Sequence, residues 1–153
     1  MKDKSIIVLG AGGHARVLLD MLLSQGCRIM GLTDADASLW GQSVFGVPVL
    51  GDDRCIQRYS RRDIMLVNGI GSVDSMQLHR QVYEAMKRQG YSFAQVVSSA
   101  TVISDRVVLD EGVLVMPGVV VNEGSSIGEN TILNTRSVLD HECRIGKHVH
   151  IAP

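Results

Sequence analysis

Hydrophobic positions change their spacing once along this chain, near residue 100. Before that point, short apolar runs alternate with helical patterns. Ser5–Leu9 is a β-rich run, and 14–25 repeats apolar residues at helical spacing (Val17, Leu18, Met21, Leu22) before stopping at Gly26. A second strand is expected over 27–33. A loop follows with Gly46, Pro48 and Gly51, then a short helix that Asp52 or Asp53 can cap. The pattern next predicts a third strand over 64–67, an amphipathic helix over 75–89 closed by Gly90, and a fourth strand over 91–97. Strands separated by helices imply βαβ units with a parallel sheet and right-handed crossovers.

From Ala100 the helical period gives way to a period of six. The chain then reads ATVISD, RVVLDE, GVLVMP, GVVVNE, GSSIGE, NTILNT, RSVLDH, ECRIGK, HVHIAP, and the fourth place is aliphatic in all nine hexads. Hexapeptide periodicity marks a β-helix, in which each hexad supplies one flat strand and a corner and three hexads complete a coil. Nine hexads therefore make three coils. Strand alternation turns the second and fourth places inward and the third outward. The second places (Thr101, Val107, Val113, Val119, Ser125, Thr131, Ser137, Cys143, Val149) are small or β-branched, as a narrow interior requires. The expected division is an α/β domain over 1–98 and a β-helix over 99–153.

Composition narrows the function classes. At 153 residues and 45% hydrophobic content the chain can pack a core, and 15 basic against 16 acidic residues leave no cationic excess for nucleic acid or an anionic membrane. No apolar run reaches the length of a membrane span, and the residues before Ser5 lead into a strand rather than a signal peptide, so the expectation is cytoplasmic. Cys27, Cys55 and Cys143 are odd in number and widely spaced, which encodes neither a disulfide framework nor a zinc module.

Candidate chemistry begins at the first strand, which runs into Gly10-Ala11-Gly12-Gly13-His14-Ala15. Gly10, Gly12 and Ala15 fit a GxGxxG/A turn between strand and helix, where free N–H groups can hold a pyrophosphate. Asp34 and Asp36, at the end of the second strand, lie where a carboxylate could bond a ribose or a base. Gly69 and Gly71, with Ser72, follow the third strand and belong at the same carboxyl edge; a simple tight turn explains them equally well. A dehydrogenase needs two mononucleotide halves, and about four strands supply only one.

The half-Rossmann opening GAGGHA, Asp34 and Asp36, and the run from Asn134 to Gly146 (NTRSVLDHECRIG) together resemble the sialic-acid O-acetyltransferase and UDP-4-amino-sugar N-acetyltransferase family of bacterial glycan synthesis. The resemblance spans the chain. It implies a left-handed β-helix behind the α/β domain, a homotrimer, acetyl-CoA held between neighbouring helices, and a UDP-amino sugar or sialic-acid-type sugar in the glycine cleft. By the same resemblance His141 would be the general base and Glu142 its orienting partner. Asn134 would touch substrate or cofactor, His150 would face acetyl-CoA, Gly13 and His14 would bind the diphosphate, and Asp34 and Asp36 the base or ribose. Family members continue for further coils, so the chain is expected to be truncated after three.

Periodicity constrains how these residues can meet. His141 closes its hexad at a corner and His150 takes an outward face nine residues later, half a coil on, so one subunit separates them by roughly 15–20 Å. A site using both must lie between subunits. The same geometry argues against zinc at His148 and His150, which occupy a corner and a face while Cys143 points inward. The readings left open are an acetyltransferase, a non-catalytic sugar-nucleotide-binding or assembly subunit, and, more remotely, an NAD-dependent oxidoreductase.

Overall fold

A computed structural model describes residues 4–71 and 76–153; Ser72 and the expected helix start at Ser75 lie outside them. Strand β1 (Ser5–Leu9) is fully buried and central, flanked in parallel by β2 (Ile29–Thr33) and β5 (Ile64–Asn68) in the order β2-β1-β5. Helix α1 (Gly13–Ser24) covers one face with Ala15, Leu18, Leu19, Met21 and Leu22, and ends where Gly26 adopts φ +70. Helix α2 (Gln77–Arg88) covers the other, burying Tyr83 and Met86 against Ile7, Leu9 and Leu66.

Two expectations are corrected. The segment between β2 and β5 is not a plain loop: it holds a 3-10 turn at Ala37–Leu39 and a two-stranded antiparallel hairpin, β3 (Ser43–Val44) and β4 (Val47–Pro48). These elements are too short to show a hydrophobic period. The fourth strand expected over 91–97 does not join the sheet as a strand. Phe93 makes a single parallel bridge to Leu66, its N–H captured by the Glu111 carboxylate at 2.7 Å, and the chain then turns so that β6 (Val96–Val97) stacks on the β-helix. Val97 lies six residues before Ile103, so the hexapeptide frame already includes it.

The β-helix carries nine further two-residue strands: β7 (Val102–Ile103), β8 (Val108–Leu109), β9 (Leu114–Val115), β10 (Val120–Val121), β11 (Ser126–Ile127), β12 (Ile132–Leu133), β13 (Val138–Leu139), β14 (Arg144–Ile145) and β15 (His150–Ile151). Each pairs in parallel with the strand one coil away, giving the faces β15-β12-β9-β6, β13-β10-β7 and β14-β11-β8 of a left-handed parallel β-helix. The fourth and second places meet in one interior core, as the alternation predicts. At Ser125 and Thr131, two of the four second places that carry a hydroxyl, that hydroxyl ties adjacent coils. Ser125 Oγ donates to the Asp140 carbonyl and accepts from Cys143 N–H, and Thr131 Oγ1 does the same with Gly146 and Val149.

The face β15-β12-β9-β6 is the one that meets the α/β domain. Val96, Leu114, Met116 and Ile132 share a core cluster with Leu18, Leu22 and Val8. The opposite outcome holds on the face β13-β10-β7, where Val102 is 69% and Val138 63% exposed.

Candidate functional site

Where that shared core reaches the carboxyl edge of the sheet, the two domains enclose a cleft of about 400 Å³. Gly13, His14 and Gly71 line it from the α/β side, and Asn134, Thr135 and His150 from the coil. Met116 and Ile132 supply an apolar floor. Parallel strands deliver their following loops to one edge, which is why the glycine turn and the 69–71 loop face each other.

The glycines divide into two kinds. Gly10 has φ +87, and a Cβ on Gly69 would lie 2.7 Å from the Leu9 carbonyl oxygen, so the fold itself requires both. Gly12 and Gly13 have nothing within 4 Å of where a Cβ would sit. Packing within the fold therefore does not demand glycine at either position. Helix α1 starts here with no side-chain cap and no acidic residue in its first turn, leaving N–H groups and the positive end of the dipole toward the cleft.

Asp34 and Asp36 act on backbone. Asp34 Oδ2 accepts Ala11 N–H at 2.8 Å and its Oδ1 accepts Asp36 N–H at 2.9 Å, bracing the glycine turn from below. Asp36 Oδ1 caps the 3-10 turn by accepting Ser38 N–H, and the Ser38 hydroxyl first, then that N–H, hold its carboxyl below the usual range.

His14 is largely buried, and burial, with smaller contributions from His79 and His150, lowers its pKa to about 4. Its Nε2 has no partner among the described residues. Asn134 fixes the neighbouring imidazole: its Oδ1 accepts Thr135 N–H at 2.8 Å, so Nδ2 donates to His150 Nε2 at 2.9 Å and the ring proton sits on Nδ1. The cleft therefore presents two neutral-tautomer imidazoles on opposite walls.

His141 and Glu142 lie elsewhere. They occupy the corner between β13 and β14, whereas His150 is on β15, which belongs to the face packed on the α/β domain. His141 Nδ1 stands 3.3 Å from Glu142 Oε2, the two side chains being 64% and 78% exposed. An imidazole and a carboxylate thus stand in contact, both open to water. Sequence reasoning named Gly13, His14, Gly71, Asn134 and His150, five residues that the structure brings into one cleft. It did not single out Thr135, Met116 or Ile132, which carry no chemical signature and line the cleft only because the coil face docks there.

Residues 5–86, more than half of the chain, match the family model described as the PglD N-terminal domain. No curated protein sequence matches the chain. Among solved structures, a histidine variant of perosamine N-acetyltransferase from Caulobacter crescentus, in complex with CoA and GDP-perosamine, is 33% identical with a TM-score of 0.86, over 95% of this chain and 67% of that one. The acetyltransferase domain of PglB from Neisseria gonorrhoeae, in complex with acetyl coenzyme A, is 26% identical with a TM-score of 0.87, over 99% and 71%. WeeI from Acinetobacter baumannii, 24% identical with a TM-score of 0.83 over 98% and 70%, shares the fold. With its N-terminal family domain and its β-helix both matched, the chain belongs to the NeuD/PglD-like family of hexapeptide-repeat sugar acetyltransferases.

Proposed function

We propose that the chain transfers acetyl from acetyl-CoA to the amino group of a nucleotide-linked sugar for surface-glycan synthesis in the cytoplasm. The observation that carries this is the cleft itself, where bare glycine N–H groups and the Asn134–His150 pair face each other across about 400 Å³. The diphosphate lies along Gly12, Gly13 and the start of α1, and Gly71 closes the opposite wall. Asp34 and Asp36 hold the turn and lie beside the nucleoside. The 33% identical perosamine enzyme, bound to CoA and an amino-sugar nucleotide, favours nitrogen over oxygen as acceptor.

In this reading the acceptor nitrogen attacks the thioester carbonyl, a C–N bond forms, and the C–S bond breaks. His141 takes the amine proton and returns it to the departing CoA sulfur, while Glu142 orients the ring and stabilises its charged form. The corner position of His141, away from its own chain's cleft, favours a role in the cleft of a neighbouring copy. A homotrimer meets that need, and the exposed valines on the β13-β10-β7 face are apolar surface that assembly would cover. His150 directs its Nδ1–H toward the acetyl-CoA side of the cleft.

The test is an assay with labelled acetyl-CoA and a panel of UDP- and GDP-linked amino sugars, with sialic acid as the hydroxyl acceptor. The expected result is an N-acetylated sugar nucleotide with stoichiometric free CoA. Binding of sugar nucleotides without CoA release from any of them would overturn catalysis and leave a binding subunit.

A further inference from the structure

Behind the 69–71 wall of the cleft runs a buried polar chain that none of the proposed roles uses. Asn68 ends β5, and its Nδ2 donates to the His79 carbonyl at 2.8 Å and to Asn130 Oδ1 at 3.0 Å. Asn130 Nδ2 meets His148 Nδ1 at 3.0 Å, and His148 Nε2 points at Glu84 at 3.8 Å. From the α/β side, His79 Nδ1 donates to the Ile70 carbonyl at 2.7 Å and Asn68 Oδ1 receives Ile70 N–H at 3.4 Å. Asn68, His79 and Asn130 are at most 1% exposed. Both polar groups of Ile70, at the centre of the wall, are gripped from this chain.

The direction of every bond is forced. A carbonyl only accepts, so Asn68 Nδ2 must donate to His79, and it therefore meets an oxygen on Asn130. Asn130 then turns its NH₂ to His148, whose Nδ1 must be a lone pair. The two corner residues, Asn130 at φ +54 and His148 at φ +57, stand one coil apart, and His148 is two residues from His150.

We propose that Asn130 and His148 are positioning residues: through Asn68 they hold the 69–71 wall of the cleft in register with the coil that bears His150. This rests on the nucleotide-sugar reading of the cleft. A second proton on His148 would face its Nδ1–H against the Asn130 NH₂. If Asn130 flipped to accept it, its NH₂ would meet the Asn68 NH₂, so one link is lost either way. The groups facing His148 are His79, Arg80, Tyr83 and Glu84 on α2, and Asn130, Glu129 and Lys147 on the coils. Burial first and then Arg80 lower the pKa of the ring, against the opposing pull of Glu84 and Glu129.

The experiment uses three variants of the whole chain, read by sugar-nucleotide affinity, by KM and kcat, and by amide exchange of Ile70 and Gly71. Asn130→Gly keeps the backbone angle and removes the amide. It should raise the Kd and KM about tenfold, as losing one buried hydrogen bond does, with kcat within about twofold and faster exchange at 70–71. His148→Asn supplies an acceptor that does not titrate; it should keep wild-type KM at neutral pH and lose the part of the KM rise that His148 protonation causes in acid. Asn130→Asp reverses the polarity, so its KM should instead worsen as pH rises. Wild-type Kd and exchange in Asn130→Gly, or one pH profile for all variants, would overturn the proposal. If Asn130→Gly does not fold, the near-isosteric Asn130→Asp decides it. A wild-type chain that binds no sugar nucleotide sinks the functional reading instead, and the exchange measurements still judge the positioning role.

Discussion

The glycine cleft and the His141 corner are built from the same kinds of residue, yet they differ in solvent and in completeness. In the cleft, His14 is buried and its pKa falls to about 4, while His150 is held in one tautomer by Asn134. At the corner, His141 and Glu142 contact each other and otherwise face water. Burial penalises the charged form of an imidazole and makes His14 a poor proton acceptor, whereas His141 is open to solvent with a carboxylate beside it. On the proposed reading, recognition is finished within one chain and the proton acceptor is brought by a neighbour.

Removing the corner residue should have the largest effect. His141→Ala is expected to lower kcat by about 10²–10⁴-fold, the usual contribution of general base catalysis, with sugar-nucleotide affinity unchanged by titration calorimetry. Near wild-type turnover would refute the assignment. Next in size is the trimer itself: replacing both Val102 and Val138 by Glu places charges on the exposed valine face without touching the cleft. Light scattering should then show monomers, with turnover lost and binding kept, so a trimer that survives with full activity would break the intersubunit half of the comparison.

Acid should separate the two regions without mutation. The folded pKa of His14 lies near 4 and the unfolded value near 6.5, so its contribution to stability is complete above pH 6.5 and is lost as pH falls toward 4. The unfolded state binds the extra proton in that window. The cost by pH 4 is on the order of 3 kcal/mol. His14→Phe, which cannot titrate, should flatten the denaturant-midpoint profile over this range, whereas His141→Ala should leave it as steep as wild type.

Much of this arrangement is readable in sequence because two periods are strong. The fourth-place aliphatics of the hexads define the β-helix interior, and the GAGGHA turn defines the carboxyl edge of the sheet. What stays hidden is local or long-range. The β3–β4 hairpin is too short for a period, and the 91–97 segment reads as a strand because Tyr91, Phe93, Val96 and Val97 are all β-formers. Glu111, eighteen residues on, takes Phe93 N–H and redirects it. The buried chain from Asn68 to His148 has no sequence signature either, since Asn130 meets His148, 18 residues on, only when the coils stack, and meets Asn68, 62 residues back, only when the coil face docks.

The smallest expected effect tests whether the cleft's glycines differ as the structure says. Gly12→Ala adds a methyl group into open space, so its melting temperature should stay within about a degree of wild type, while the added methyl crowds the phosphate path and weakens sugar-nucleotide binding about tenfold. Gly69→Ala is the control with the opposite signature, because its methyl would press on the Leu9 carbonyl, the Ala15 side chain and Val8 at under 3 Å. Overpacking of that kind costs about 1–3 kcal/mol, which a denaturant titration reads directly. Equal loss of stability in both variants would mean that the bare glycines at 12 and 13 serve the fold and not a ligand, and the contrast between a finished cleft and an unfinished corner would lose its first half.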